Sequence, residues 1–248
     1  TMTLSQSGTI STGNGDDGVF YVGGSPWYDN FLGYLSDFRY YYDTALTAQE
    51  VSAIVAEEIV GSSGYCHDMH PSAPPSPAPT TSVPIPAPTP TPTPAPSRAE
   101  APQYVNLLTD EACTQEFTEE NGSGDGGYIE VPNSDLPTQG SSYTVAFWFQ
   151  HTEETDTWQD VYHHSFNGEN CCDAGERSPA AFINPNDYIY PVTGDEGNGN
   201  SYLAFPMLTK GEWYHWAHVA SDSDSESYFY LTPLSTGVAS TMTLSQSG

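Results

Sequence analysis

Three histidine pairs stand close together in this 248-residue chain: His67 with His70, His163 with His164, and His215 with His218. Close histidines bind zinc or copper when further nitrogen or thiolate ligands converge on the same ion. None of these pairs has a CxxC partner, so they read as packing or surface side chains. Oxygen-rich turns suit a hard cation better. Asp16, Asp17, Asp125 and Asp195, in stretches rich in Gly and Asp, are the candidate calcium ligands. The run Asp222-Ser223-Asp224-Ser225-Glu226 lacks the glycine and terminal glutamate of a helix-loop-helix calcium site, and reads as a solvated hairpin tip.

Other chemistry is excluded by pattern. The loops Gly13–Gly18 and Gly122–Gly127 each satisfy GxGxxG, but neither opens a helix, and Asp16, Asp17 and Asp125 would repel a pyrophosphate. Carboxylates spaced for glycoside hydrolysis on one strand are absent. Glu116 with Glu119 and Asp156 with Asp160 read as solvated surface pairs. No GxSxG nucleophile elbow occurs. The expectation is a protein that is not an enzyme and has no certain cofactor beyond a possible calcium ion and covalent glycans.

The cysteines are Cys66, Cys113, Cys171 and Cys172. An even number in an acidic, Pro/Thr-rich chain suits an oxidising compartment. A direct bridge between the vicinal pair would close a strained ring. The favoured arrangement joins Cys66 and Cys113 each to one of Cys171 and Cys172, with free thiols as the alternative. Asn121-Gly122-Ser123 is an N-glycosylation acceptor in a Gly-rich turn.

Four basic residues against 32 acidic ones leave a formal charge of −28. Such a surface repels nucleic acid and anionic membranes and attracts divalent cations. Aromatic residues at 13% nevertheless exclude the disordered type of acidic chain. No run of about 18 apolar residues exists to cross a bilayer. The expected location is extracellular, on a cell surface or appendage.

These residues must be positioned by three zones: 1–66, 67–100 and 101–248. In the first, Val19–Val22 follows a Gly/Asp turn, and Leu32–Tyr42 alternates apolar and polar side chains for part of its length, as half-buried strands do. Thr47–Glu58 then changes to helical period. Thr47 with Glu50 makes a capping box, and Val51, Ile54 and Val55 share a face. In the third zone, Tyr143–Gln150, Trp213–Ala220 and Tyr228–Thr232 are the clearest strands, with aromatics on both faces as in a two-layer sandwich.

The middle zone differs. Residues 71–97 hold twelve prolines and no charge. Proline fixes φ and removes the amide donor, so polyproline II is expected, extending to about 80 Å at ~3.1 Å per residue. This reads either as an ordinary interdomain linker or as a sugar-coated rod. The rod reading rests on Ser and Thr alternating with Pro, the composition of O-glycosylated stalks. It also resembles the hydroxyproline-rich glycoproteins of algal and plant walls. That resemblance implies modification at Ser72, Pro74, Pro75, Ser76, Pro77, Pro79, Thr80, Thr81, Ser82, Pro84, Pro86, Pro88, Thr89, Pro90, Thr91, Pro92, Thr93, Pro94, Pro96 and Ser97.

Residues 1–8 read TMTLSQSG, and residues 241–248 read TMTLSQSG again. An exact recurrence of this length implies one period of a tandem array. Read through the junction, residues 101–248 followed by 9–60 resemble a concanavalin A-like jelly roll of the laminin-G-like type. The resemblance is carried by Gly127–Pro132, Tyr143–Trp148, Lys210–His215, Phe31–Tyr40 and Asp43–Thr47. It implies an all-β sandwich split across a repeat boundary, with residues 1–66 ending one module and 101–248 beginning the next. Only one octapeptide fits a given strand position, so the closing strands are expected from a neighbouring copy, with Cys66 stapling the junction.

Two functions follow. The first is a structural repeat unit of an extracellular glycosylated fibre, whose partners are neighbouring copies of itself. The second is a carbohydrate-binding or adhesive module with exposed Trp27, Trp158 or Tyr188 stacking on sugar rings.

Overall fold

The computed structural model describes residues 2–6, 18–60, 103–108, 114–118, 127–136, 142–153, 156–165, 168–169, 177–192, 205–221 and 226–246. Ahead of the proline-rich zone come β1 (Met2–Gln6), β2 (Val19–Val22), β3 (Asp29–Asn30), β4 (Gly33–Tyr42) and α1 (Ala48–Val60). After it come β5 (Val105–Asn106), β6 (Thr114–Phe117), β7 (Ile129–Pro132), β8 (Tyr143–His151) and β9 (Gln159–Ser165). β10 (Ala180–Ile183), β11 (Ile189–Val192), β12 (Trp213–Ser221), β13 (Glu226–Pro233) and β14 (Ser240–Gln246) complete the order.

These strands form a two-sheet jelly-roll sandwich. The first sheet runs β1-β14-β13-β12-β8-β4-β5, with β6 also paired to β4. The second runs β11-β10-β9-β2-β7, with β3 paired to β9. All pairings are antiparallel except β1 with β14 and β3 with β9.

The expected strands all form, and so does the helix. Thr47 Oγ1 accepts from the Glu50 amide at 3.3 Å, while the Glu50 carboxylate accepts from the Thr47 amide at 2.8 Å, completing the capping box. Val51 and Ile54 pack on Tyr41, Ala146, Ala217 and Val219, and Val55 packs on Trp148 and Trp213. The helix therefore covers the outer face of the first sheet.

Alternation in β4 is only partial, and a bulge explains why. The pairing with β8 shifts between Ser36 and Arg39, and Asp37 takes a φ of 48°. The extra residue lets Leu35, Phe38 and Tyr40 all reach the core, three and then two positions apart. Phe38 stacks on Phe147 at 4.6 Å and meets Phe20 and Tyr162 of the opposite sheet edge-on at 6.1 and 5.8 Å. On the outer side Arg39 pairs with Asp37 and lies 5.0 Å from the Tyr104 ring.

One expectation needs correction. The closing strands expected from a following copy are this chain's own: β2 lies between β9 and β7, and β4 beside β8. The recurrence of TMTLSQSG does not prevent this. Residues 241–246 fill the position beside β13, and residues 2–6 add outside them as a parallel strand. The linker at 67–100 lies outside the described residues.

The packing of Phe38 gives a direct test. Phe38→Ala should cost about 3–5 kcal/mol in a urea titration, the usual range for a buried phenylalanine. Exposed Tyr104→Ala should cost under about 1 kcal/mol by the same measurement.

Candidate functional site

With α1 over the first sheet, the outer face of the second sheet is the face that presents aromatic rings. Period-2 alternation sends Phe20 and Val22 of β2 inward and Tyr21 outward. On β10, Ala181 and Ile183 point into the core, whereas Ala180 and Phe182 join Tyr190 and Val192 of β11 outside. The segment Gly23–Asn30 then crosses this face. It is pinned by the Gly23 amide on the Val161 carbonyl (2.8 Å) and the Phe31 amide on the Gly23 carbonyl (3.0 Å). Gly23 sits at φ 79°, and a Cβ there would come within 2.0 Å of the Phe117 ring, so only glycine fits.

The excursion delivers Trp27 and Tyr28 to a row of rings. Trp27 lies 5.2 Å from His163, His163 lies 6.0 Å from Phe182, Phe182 lies 6.3 Å from Trp158, and Trp158 lies 5.1 Å from Tyr190. Tyr28 packs on Phe182 at 4.9 Å. The Arg177 guanidinium lies 5.5 Å from the Tyr28 ring centre and 5.7 Å from that of Phe182, and it donates to the Tyr28 hydroxyl. Trp158 is 38% exposed and Trp27 is half-buried.

Beneath the row lies a buried ionisable pair. Asp160 and His163 are three residues apart, a spacing that puts two side chains on opposite faces of a regular strand. Pairing of β9 with β10 skips Val161, and this bulge turns both to the same side. Their closest atoms, Oδ2 and Nδ1, are 3.4 Å apart, and neither side chain touches solvent. Among the described residues neither carboxylate oxygen of Asp160 accepts a hydrogen bond. Burial, followed by the charges of Glu130, Tyr128 and Asp160, pushes the Tyr21 hydroxyl up to about 12. The arrangement holds an imidazole between Trp27, Tyr21 and Phe182, so Asp160 positions the ring row and has no open path to a ligand.

Two expectations change here. Asp156 is exposed as a surface residue should be, but Asp160 is buried and belongs to the site. Sequence reasoning missed it because its cover comes from residues 23–30, about 130 positions earlier. The only signal was its place in a strand between Gln159 and Val161. Of the three aromatic candidates, Trp27 and Trp158 lie in the row. Tyr188 sits half-buried in the turn before β11, its amide donating to Asn184 Oδ1 at 3.1 Å.

The two described histidine pairs, His163 with His164 and His215 with His218, separate onto opposite faces. His164 turns inward onto Phe20, within reach of Asn133 Oδ1 (2.8 Å) and the Ser178 carbonyl (3.0 Å). His218 lies between the hydroxyls of Tyr143 (3.4 Å) and Tyr162 (3.1 Å), and Trp216 Nε1 donates to Tyr162. His215 faces the other way, against Trp148 at 5.2 Å. Among the described residues no three of His, Cys, Asp and Glu converge as a metal site. The calcium candidates Asp16, Asp17, Asp125 and Asp195 lie outside the described residues. So do Asn121, the four cysteines, His67, His70, Glu119 and residues 71–97. Glu116 is exposed on β6 and accepts from the Tyr34 hydroxyl at 2.8 Å. Among the described residues no helix is long and apolar enough to cross a membrane.

Residues 122–242 match the family model described as the concanavalin A-like lectin/glucanases superfamily, of the laminin G type. The matched stretch spans β7 through the first residues of β14, and supports a concanavalin A-like jelly-roll module in this chain. No curated protein and no solved structure matches the chain.

The buried histidines set a pH response. Burial pushes His151 down to about 4, and His164, His215 and His218 down to about 3. Unfolded histidine titrates near 6.5, so the unfolded chain binds more protons in the window between. Stability carried by these groups is full above pH 6.5 and is lost as pH falls toward 3. Among the described residues His215 has no hydrogen-bond partner at either ring nitrogen, so His215→Phe should fold at pH 7. Below pH 6 it should reduce the slope of unfolding free energy against pH by up to about 1.4 kcal/mol per unit. Urea midpoints from pH 7 to 4.5 check this.

Proposed function

We propose that this chain is a structural repeat unit of an extracellular glycosylated fibre, in which jelly-roll beads alternate head-to-tail with glycosylated proline rods. The observation that carries this reading is that one sandwich is built from two segments flanking the proline-rich zone. Residues 18–60 supply β2 and β4, and residues 103–246 supply the strands on either side of them. Exchange between identical copies preserves every such contact, so the same interfaces serve one chain or a series of chains. The expected rod of about 80 Å is longer than a module of roughly 200 residues is wide, about 40 Å from its radius of gyration. A rod of that length would also let the same segments reach and pair with a neighbouring copy. A heterologous join that does not close gives a filament.

Composition supports the same reading. The charge of −28 keeps beads apart and soluble, and an uncharged Ser/Thr/Pro rod is a ready substrate for O-linked sugar. Cys66 remains the candidate staple to Cys171 or Cys172, and Asp16, Asp17, Asp125 and Asp195 the candidate calcium ligands.

A second reading is favoured by the ring row on the second sheet: a carbohydrate-binding or adhesive module. Partly exposed Trp158 and Trp27, with Arg177 over the Tyr28 and Phe182 rings of the same row, offer flat apolar surface for a sugar face.

Cryo-electron microscopy of purified native assemblies, with intact-glycopeptide mass spectrometry of residues 71–97, separates the two. Filaments with beads spaced by rods, and sugar mass on Ser, Thr and modified Pro, are expected. Bare residues 71–97 on a chain that stays monomeric would remove the fibre reading. Saturable glycan binding by that monomer, weakened about tenfold (~1.4 kcal/mol) in Trp158→Ala, would establish the second.

A further inference from the structure

The TMTLSQSG recurrence acquires a geometry in the fold. Residues 2–6 pair with residues 242–246 so that Met2 faces Met242, Thr3 Thr243, Leu4 Leu244, Ser5 Ser245 and Gln6 Gln246. The ladder is parallel and every residue meets its own kind. β14 in turn pairs antiparallel with β13, from Glu226–Ser245 to Leu231–Ser240, and Met242 is buried in the core. β1 is the outermost strand of this sheet, with β14 as its neighbour among the described strands.

Identity, direction and register together make the two octapeptides interchangeable. The backbone pairing that residues 242–246 make with β13 is open in the same register to residues 2–6, which carry the same sequence. Reaching it requires a translation of one strand spacing, about 4.8 Å, with no reversal and no change of register. An antiparallel or slipped pairing would not permit this. The edge is also unguarded. Natural edge strands are usually blunted by charge, proline or a bulge. TMTLSQSG contains neither charge nor proline, in a chain with 36 charged residues and 21 prolines. Identical, uncharged segments in parallel register are the arrangement in which further copies add.

We infer that this octapeptide is a transferable strand, and that the β13–β14–β1 edge is the joint between copies: TMTLSQSG of one copy pairs at this edge of a second. The partner is a second copy of this chain, recognised by backbone pairing in register. The inference rests on the fibre reading and names its contact. The net charge opposes association, so the joint tightens as salt screens it.

The test is sedimentation velocity of the whole chain across a concentration series in about 0.15 M and 0.5 M NaCl. Weight-average mass should rise with concentration, more steeply at high salt. Leu4→Pro removes one amide donor from β1, and should move the association midpoint at least tenfold upward in concentration. Excess TMTLSQSG peptide should disperse the wild-type oligomer, and a scrambled peptide should leave it intact. The peptide arms use unmodified protein, so they stand even if Leu4→Pro disturbs folding. Oligomers that persist unchanged with Leu4→Pro and with the peptide would overturn the joint and leave the fibre reading in place. A wild-type chain that stays monomeric at every concentration would overturn both.

Discussion

Strand β4 is the constraint on which the assembly depends. It stands between β8 on one side and β5 and β6 on the other, and its bulge sends Leu35, Phe38 and Tyr40 into the core. Without it β8 would be an open edge in the middle of the sheet, and Phe147 would lose its stacked partner. Both functions turn on where β4 comes from. A module that takes β4 from its own chain is a complete bead. One that takes it from an adjoining copy is a link in a series. The contacts are the same in either case, so packing energy does not choose between them.

The interior also carries polar groups whose placement is unusually specific. Trp216, Tyr162, His218 and Tyr143 form a buried chain of hydrogen bonds running between the sheets. Asp160 and His163 form a second buried pair below the aromatic row. Such groups cost free energy unless satisfied, and they fix one register because a slip would strand them. Neutral histidines in the core tie folding to pH, since protonating one means placing a cation where nothing solvates it. The same economy of placement explains the face without a helix: rings cover the pair, and the pair fixes the rings.

Much of the architecture was legible from residue types. The strands at Val19–Val22, Tyr143–Gln150 and Trp213–Ala220 show in their apolar runs, and α1 in its capping box and its Val51/Ile54/Val55 stripe, because these signals are local. The laminin-G-like resemblance puts the β7 and β4 sequences in one sandwich but assigns β4 to a following copy, whereas the fold takes it from the same chain. The candidate site was only partly legible. Trp27 and Trp158 were identifiable as large rings near turns. Asp160 was not, since a bulge at Val161 reversed its facing relative to His163 and a loop from far upstream buried it. The described histidine pairs show the same limit: one and three positions apart, they diverge because residues an odd number apart on a pleated strand point to opposite faces.

Composition and spacing alone determined the acidic surface, the all-β class, the helix and its buried face, and the recurrence of one octapeptide at a 240-residue interval. Each of these is set by side-chain chemistry within a short stretch of chain. Tertiary structure alone decided that residues 2–6 and 242–246 lie side by side, that Asp160 is internal, and that the second sheet presents the aromatic face. Those outcomes depend on which distant strands meet and where a single extra residue shifts the pleat. They are properties of long-range pairing, which no local pattern records.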